Sequence, residues 1–551
     1  MKKFFYKPVY ILLLSGFVLI SVAFMHQNGD LFFQIKKQLT IFSDVYKEVA
    51  TQYVDEVSPE ELMKRSIDSM LETLDPYTVF IDEGEQQQME IFSSGTYGGI
   101  GIDAGFRGDQ IVIIAPLAGY PAHRAGLRPG DIIEEINGVN VTGMSPEDVQ
   151  QLTIGDVGTT VEIKITRPGI EQSIDFELER ERIEVKNISF AGHLGNNNQF
   201  GYIQLTRFGQ RTAEEFRSEL VVLTENDQEL EGLVIDLRNN PGGLLNEAVD
   251  LIDKFIEPGV TVVETRGRHD DHNNAFVTEE PAMFEDLPLI ILMNSGSASA
   301  SEVVAGALQD LDRAVIVGEN SFGKGLVQTV RPLSYNTSLK ITISKYYTPS
   351  GRSIQSMEYS GISDEGGFAV PDSLRRAFNT KNGRVVFDGR GIEPDFTFDS
   401  DEESLLELTL QRNNQYFFFV NDILTQNEVE QNVTEEWLFE KFTRYLMDEG
   451  FTFETPADRH LEQLSANLET FAQSSTAEEN IEELKALLRD YKISQIYENE
   501  DRIKNNLMVE WLTQTTDDGE RSRVVLEYDK KIQKALDILD DPSMYLFTLK
   551  P

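Results

Sequence analysis

Three short runs of this chain, Leu233-Val234-Ile235-Asp236-Leu237, Leu289-Ile290-Ile291-Leu292-Met293 and Ala314-Val315-Ile316-Val317, are almost unbroken in apolar character. A strand with one wet face alternates apolar and polar side chains, so runs like these belong to strands buried on both faces, with helices above and below. The segments between them read as helices. The region from about Ile183 to Phe398 is therefore expected to be an α/β layer structure. With 551 residues the chain is too long for a single hydrophobic core, and two to four domains are expected.

The remainder divides by texture. Residues 31–90 read as helical: Ile35, Leu39, Phe42, Val45, Tyr46 and Val49 recur every three or four positions, an amphipathic stripe that either packs on its own domain or forms a dimer surface. A second helix is expected to start with Ser58 as N-cap, Pro59 in the first turn and Glu61 closing a capping box, and to stop at Leu74-Asp75-Pro76. Residues 94–170 change to short strands and glycine turns, with Ile111-Val112-Ile113-Ile114, Asp131-Ile132-Ile133 and Val161–Ile165 as strands and a short helix opening at Ser145. Residues 399–551 are acidic and helical, with Trp437, Leu438, Phe442, Tyr445 and Leu446 at helical spacing. They read as a solvated extension or as a place for oligomerisation or adaptor docking.

The N-terminus carries Lys2, Lys3 and Lys7 ahead of an apolar run from Pro8 to Met25. At about 1.5 Å per residue that run reaches across most of a ~30 Å hydrocarbon core. Residues 1–25 are thus expected to be a signal anchor in the cytoplasmic (inner) membrane, single-pass, with everything after Met25 on the periplasmic side. Ser21-Val22-Ala23 offers a weak cleavage site. The formal net charge of −44 excludes nucleic acid and anionic lipid surfaces as expected partners. The absence of cysteine excludes disulfides, thiolate nucleophiles and Cys-ligated zinc.

The densest chemical signal is Asn294-Ser295-Gly296-Ser297-Ala298-Ser299-Ala300-Ser301-Glu302, a corner of small residues joining a strand to a helix. Such a corner lets a substrate backbone come close and aims the first amides of the helix at it, as an oxyanion hole requires. The bland reading is that Ser299 and Glu302 simply form a capping box. A serine nucleophile needs a base. His269-Asp270-Asp271-His272 reads as a solvated loop and His193 lies in another, so no histidine recommends itself and no metal is expected. Lys324, between Gly323 and Gly325 directly after the strand 314–317, can serve if burial holds its amine neutral. Gln328 would share a face with Lys324 in an extended chain and could orient it. The spacing around Lys324 does not fit a phosphate-binding loop. Asp236-Leu237-Arg238-Asn239-Asn240-Pro241-Gly242-Gly243-Leu244-Leu245 is a second strand-to-glycine turn.

Together and in this order, with Leu71–Pro76, Lys345–Gln355 and Gly391–Asp395, these motifs resemble the C-terminal processing (tail-specific) peptidases, Ser/Lys endopeptidases with an embedded PDZ domain. The resemblance spans roughly Tyr46 to Phe398. It implies an α/β (α+β multidomain) fold: a crotonase-like peptidase core at 183–398, a PDZ domain inserted at 94–170, an N-terminal helical region and a C-terminal helical extension. It implies Ser299 as nucleophile, Lys324 as general base and Gln328 as the residue orienting the lysine. The oxyanion donors fall on Ala300 and on Gly242 or Gly243. Tyr97-Gly98-Gly99-Ile100-Gly101-Ile102 matches the PDZ carboxylate-binding loop, and the helix bearing Val149 and Leu152 the opposite wall of the peptide groove. The implied activity is cleavage of exported polypeptides chosen by their C-terminal tails, through an acyl-enzyme and without a cofactor. A homodimer and an adaptor or activator protein are further expectations. One departure stands out: many members carry an arginine before the glycine that follows the PDZ helix, where this chain has Ile154. A PDZ scaffold without activity, or acyl-CoA chemistry on a related fold, are the rival readings. Retention of serine, lysine and glutamine together argues against both.

Overall fold

The computed structural model describes residues 31–86, 95–170, 172–224, 230–359, 368–397, 404–426, 433–471, 475–515 and 525–551. The chain forms two compact units that divide between Phe80 and Ile81. The first contains helix α1, residues 31–52, and helix α2, Pro59–Glu72. The start of α2 follows from its sequence: Ser58 Oγ accepts the Glu61 N–H at 3.3 Å, and Pro59 occupies a first-turn position that needs no donor. Ile35, Leu39, Phe42 and Val45 of the α1 stripe are exposed, while Tyr46 and Val49 at its end are part-buried and the Tyr46 hydroxyl donates to Pro59 O at 2.8 Å.

Among the described residues no helix is long and apolar enough to cross a membrane. The single-pass inner-membrane placement expected from the N-terminus is corrected accordingly. The segment 1–25 on which it rested lies outside the described residues, and the inference of exported substrates loses its support with it.

Within the second unit, strand β1 spans Thr96–Gly99. A small antiparallel module follows, with strands β2 (Ile102–Arg107), β3 (Gln110–Pro116), β4 (Ile132–Ile136), β5 (Thr160–Thr166) and β6 (Ile174–Glu179) side by side in that order. Helix α3, Pro146–Thr153, begins where Ser145 Oγ accepts the Asp148 N–H. Strand β6 carries the module past residue 170, and strand β7, Glu181–Glu184, then returns to pair with β1.

The α/β core is built on one sheet in the order β8 (Ile188–Leu194), β9 (Phe200–Leu205), β10 (Gly232–Asp236), β11 (Leu289–Met293), β12 (Val315–Gly318) and β15 (Phe396–Thr397). The first pair is antiparallel and the rest are parallel. Strands β13 (Leu326–Pro332) and β14 (Ser338–Tyr347), which lie between β12 and β15 in the chain, form a hairpin outside this sheet. The unbroken apolar runs are explained by a period of two with both phases buried. Leu233, Ile235, Leu289, Ile291, Met293 and Ile316 face a core made with helices α4 (Thr212–Thr224), α5 (Leu245–Ile252) and α6 (Ala300–Asp310). Val234, Ile290, Leu292, Val315 and Val317 face the other way.

That second face is covered by the very end of the chain. After the helical stretch that includes α7 (Leu405–Arg412), α8 (Gln415–Gln426), α9 (Glu435–Asp448) and α10 (Glu500–Thr515), the chain returns as α11 (Lys530–Asp540) and α12 (Pro542–Thr548). Ile532, Ala535, Leu536, Ile538, Leu539 and Tyr545 pack directly on the sheet. Tyr545 Oη also accepts the Leu289 N–H at 2.9 Å. The C-terminal region is therefore not merely an extension, because its last two helices complete the peptidase sheet.

Candidate active site

Parallel strands present their carboxyl ends along one edge, and the expected motifs all leave the sheet there. After β11 the chain reaches Ser299, the N-cap of α6, at φ 56° and ψ −115°, a region that side chains avoid. Holding a non-glycine residue so costs on the order of 1–3 kcal/mol and persists where the surroundings enforce it. The surroundings are the turn after β10. Ser297 Oγ donates to Leu237 O at 2.8 Å, Ser301 Oγ donates to Asn240 O at 3.0 Å, and the Ala298 N–H donates to the same carbonyl at 3.0 Å. Ser297 and Ser301 are fully buried staples between the two turns, Ser295 is exposed, and Ser299 lies half-buried at the surface between them.

The two glycines of the β10 turn now separate. A Cβ on Gly242 would lie 2.8 Å from Ser299 Cβ and 2.8 Å from the Ala300 nitrogen, which is why only glycine fits against this corner. Its N–H, however, is taken by Asn240 Oδ1 at 2.9 Å. Phe208 bonds to the neighbours of Gly243, receiving the Leu244 N–H and donating to Gly242 O. The N–H of Gly243 itself has no acceptor among the described residues, and neither has that of Ala300.

Lys324 sits half-buried in the loop after β12. What ties this loop to the serine corner is Glu302, which is fully buried. Its Oε2 accepts the backbone N–H of Ser299 at 2.8 Å and that of Lys324 at 2.9 Å. Its Oε1 accepts Ser321 Oγ at 2.5 Å and the Gly323 N–H at 2.7 Å. The backbones of Ser299 and Lys324 thus hang on one oxygen atom. Burial pushes the Glu302 carboxyl above the ordinary glutamate range, while its donors, Ser321 first, pull the other way. The bond to Ser299 is the one the capping-box reading anticipated; the other three tie in residues that the sequence places about twenty positions away.

Replacing Glu302 by Gln tests this arrangement, because the amide keeps the size but turns one acceptor into a donor. Whichever oxygen is lost, two N–H or O–H groups face an NH₂. We expect a loss of stability of about 2–4 kcal/mol from the buried unpaired donors. We also expect kcat to fall on the order of 100-fold with KM nearly unchanged. Thermal unfolding and steady-state kinetics read the two effects separately.

Gln328 lies in β13, and its Nε2 donates to Thr342 Oγ1 across the hairpin at 3.2 Å. Its Oε1 takes no hydrogen bond among the described residues. The hairpin register is irregular between Val327 and Gln328, so the simple alternation expected from Lys324 to Gln328 is interrupted. Lys324 O accepts the Tyr346 hydroxyl from β14.

In the small module, Tyr97, Gly98 and Gly99 form β1 and pair with Ile183, Arg182 and Glu181. Ile100 is buried, Gly101 makes the turn, and Ile102 opens β2, the edge strand of its sheet. Val149 is buried in the module's core and Leu152 packs at its margin. The residue that sequence reasoning missed is Arg180. Its guanidinium donates to Leu152 O and Thr153 O, both at 2.9 Å, capping the C-terminus of α3. No sequence pattern links position 180 to a helix that ends at 153. Among the described residues no cluster of three His, Asp or Glu side chains is placed to hold a metal ion.

Several known protein families and proteins are similar to this chain. The profile of peptidase family S41 matches residues 199–366, and a PDZ domain profile matches 112–167. The N-terminal domain of the activating protease CtpB matches 20–85, and the C-terminal helical domain of a probable PDZ-protease matches 406–539. A carboxy-terminal-processing protease of Bartonella bacilliformis is 37% identical over 321 residues, covering 58% of this chain and 73% of the relative. A probable CtpA-like serine protease of Staphylococcus aureus is 35% identical over 360 residues, 64% of this chain and 70% of the relative. Among solved structures, a photosystem II D1 C-terminal processing protease is 26% identical, covers 66% of this chain and 93% of its own, and has a TM-score of 0.37. Sequence identity at this level over most of a relative's length settles the family: this chain is a PDZ-containing serine protease that belongs to the carboxy-terminal-processing proteases of peptidase family S41.

Proposed function

We propose that Ser299 and Lys324 form the catalytic dyad, and that the protease selects polypeptides by free C-terminal tails held on its PDZ domain. The observation that carries the dyad is the shared Glu302 oxygen, which brings the Ser299 and Lys324 backbones together beside two amides without acceptors. Neutral Lys324 Nζ takes the proton from Ser299 Oγ as that oxygen attacks the scissile carbonyl carbon. The resulting oxyanion is received by the N–H groups of Ala300 and Gly243. Collapse breaks the C–N bond, and the Lys324 ammonium protonates the departing amine. Water then attacks the ester, gives its proton to Lys324, and Ser299 regains a proton as the acid product leaves. Gln328, held by Thr342, presents its free Oε1 as the acceptor that orients the lysine.

For tail recognition, the edge of β2 can take an added peptide strand, while the turn Ile100-Gly101-Ile102 offers backbone amides to the terminal carboxylate. Tyr97, Gly98 and Gly99 hold that turn through β7, and α3 forms the opposing wall. The test is a pair of unfolded polypeptides that differ only in ending in a free carboxylate or an amide after an apolar tail. The carboxylate form should be cut with a higher kcat/KM, and equal rates would remove the tail-selection reading. Lys324→Arg, which cannot become neutral, should be inactive at every pH. An arginine variant with wild-type activity would exclude Lys324 as the base.

A further inference from the structure

Strand β3 is apolar at four consecutive positions, Ile111, Val112, Ile113 and Ile114. Ile111 and Ile113 point into the PDZ core, as one face of any such strand would. Val112 is only 2% exposed although it points the other way, and Ile114 and Ile132 beside it are partly buried. The cover is helix α8, whose Phe417 and Phe418 lie on this outer face of the PDZ sheet. On its opposite side α8 buries Tyr416, Phe419, Val420 and Ile423 in the C-terminal helical domain. Its aromatic run 416–419 is therefore buried on both sides, between two domains.

Polar contacts frame the patch. Asn421 Nδ2 donates to Pro129 O at 3.0 Å, and a Cβ on Gly130 would lie 2.2 Å from Asn421 Oδ1, so the approach is close. The Arg107 guanidinium stands 4.8 Å over the Phe418 ring and 3.6 Å from Glu449. Strand β3 is the immediate neighbour of β2, whose free edge is offered to the tail.

We propose that α8 holds the PDZ domain in its working orientation, and that this grip determines how strongly a bound tail accelerates cleavage without setting the tail's affinity. The inference rests on the tail-selection reading above. Because Phe417 and Phe418 lie on the outer face of the sheet and reach β2 only through Arg107, at the end of that strand away from the Ile100–Ile102 turn, loosening them leaves the carboxylate end of the peptide groove intact but releases the module from its frame.

The experiment uses the full chain as Phe418→Ala and Asn421→Ala variants, with Phe417→Asp/Phe418→Asp as the extreme case. Asn421→Ala removes the Pro129 contact while leaving every apolar side chain in place, so it remains informative if the double variant fails to fold. Three quantities are read: the kcat/KM ratio for carboxylate over amide substrates, the Kd of a fluorescent tail peptide, and hydrogen exchange over β3 and α8. The expected result is a carboxylate/amide ratio about tenfold lower in Phe418→Ala, with Kd within twofold of wild type and faster exchange in α8. A ratio that stays at the wild-type value, or a Kd that weakens in step with the ratio, overturns the proposal. A wild type that shows no carboxylate preference and binds no tail peptide overturns the tail-selection reading itself, an outcome that is distinguishable because it needs no variant.

Discussion

Ser299→Ala should fold as the wild type does and lose peptide-bond cleavage by about 10⁴-fold or more in kcat, the scale seen when a serine nucleophile is removed from an otherwise intact site. The fold should survive because the hydroxyl supports no more than the cap of α6, a loss of about 1 kcal/mol. The Ser299 backbone N–H keeps its bond to Glu302, and the turns remain stapled through Ser297 and Ser301. Lys324→Ala should be equally inactive, since its backbone anchor to Glu302 also persists while the base is gone. The choice of control matters. Ser301→Ala is not innocent, because its buried hydroxyl bonds to Asn240 O; it should lose about 1 kcal/mol of stability but keep its activity. Ser295, which is exposed, is the neutral comparison. Cleavage of an unfolded polypeptide, followed alongside thermal unfolding, separates these cases. Wild-type cleavage by Ser299→Ala would move the nucleophile elsewhere.

The catalytic candidates were legible because their chemistry is local: a small-residue corner and a glycine-flanked lysine each announce themselves within about ten residues. What was not legible depends on residues that meet only in three dimensions. Glu302 reads as a helix cap because one of its bonds is a cap; the bonds to Ser321, Gly323 and Lys324 exist only once β11 and β12 lie side by side. Gly242 and Gly243 look interchangeable in sequence, and they differ only because Asn240 and Phe208 dispose of the first one's N–H and frame the second. The fold shows the same limit. Continuous apolar strands state that both faces are covered but not by what. Val234 and Ile290 await helices some 240 residues or more further on, and Val112 awaits an aromatic run at 416–419. An amphipathic helix far along an acidic stretch carries no mark of the sheet it will cover.

Deleting residues 526–551 should therefore abolish folding of the peptidase core, although every candidate catalytic residue lies before residue 330. Val234, Ile290, Leu292, Val315 and Val317 are fully buried beneath α11 and α12, and the deletion would open all five to water. At about 1.5–3 kcal/mol for each side chain the loss is on the order of 10 kcal/mol, comparable with the whole stability of a typical domain. Two ion pairs go with it, Arg238–Asp529 at 2.7 Å and Lys531–Glu319 at 2.9 Å, each joining the C-terminal segment to a loop at the carboxyl edge of the sheet. Arg238 is already committed to the buried Asp236, so its loop would also lose an outer brace. A graded version avoids relying on aggregation alone. Ile538→Ala should cost about 2–5 kcal/mol as a core truncation. Tyr545→Phe, which strips the acceptor from the Leu289 N–H, should cost about 1–3 kcal/mol. Both should lower the unfolding temperature of the peptidase core while leaving kcat of the folded fraction intact. If α11 and α12 were an appendage, the deletion would melt and cleave like the full chain, and the second layer of the sheet would have to come from somewhere else.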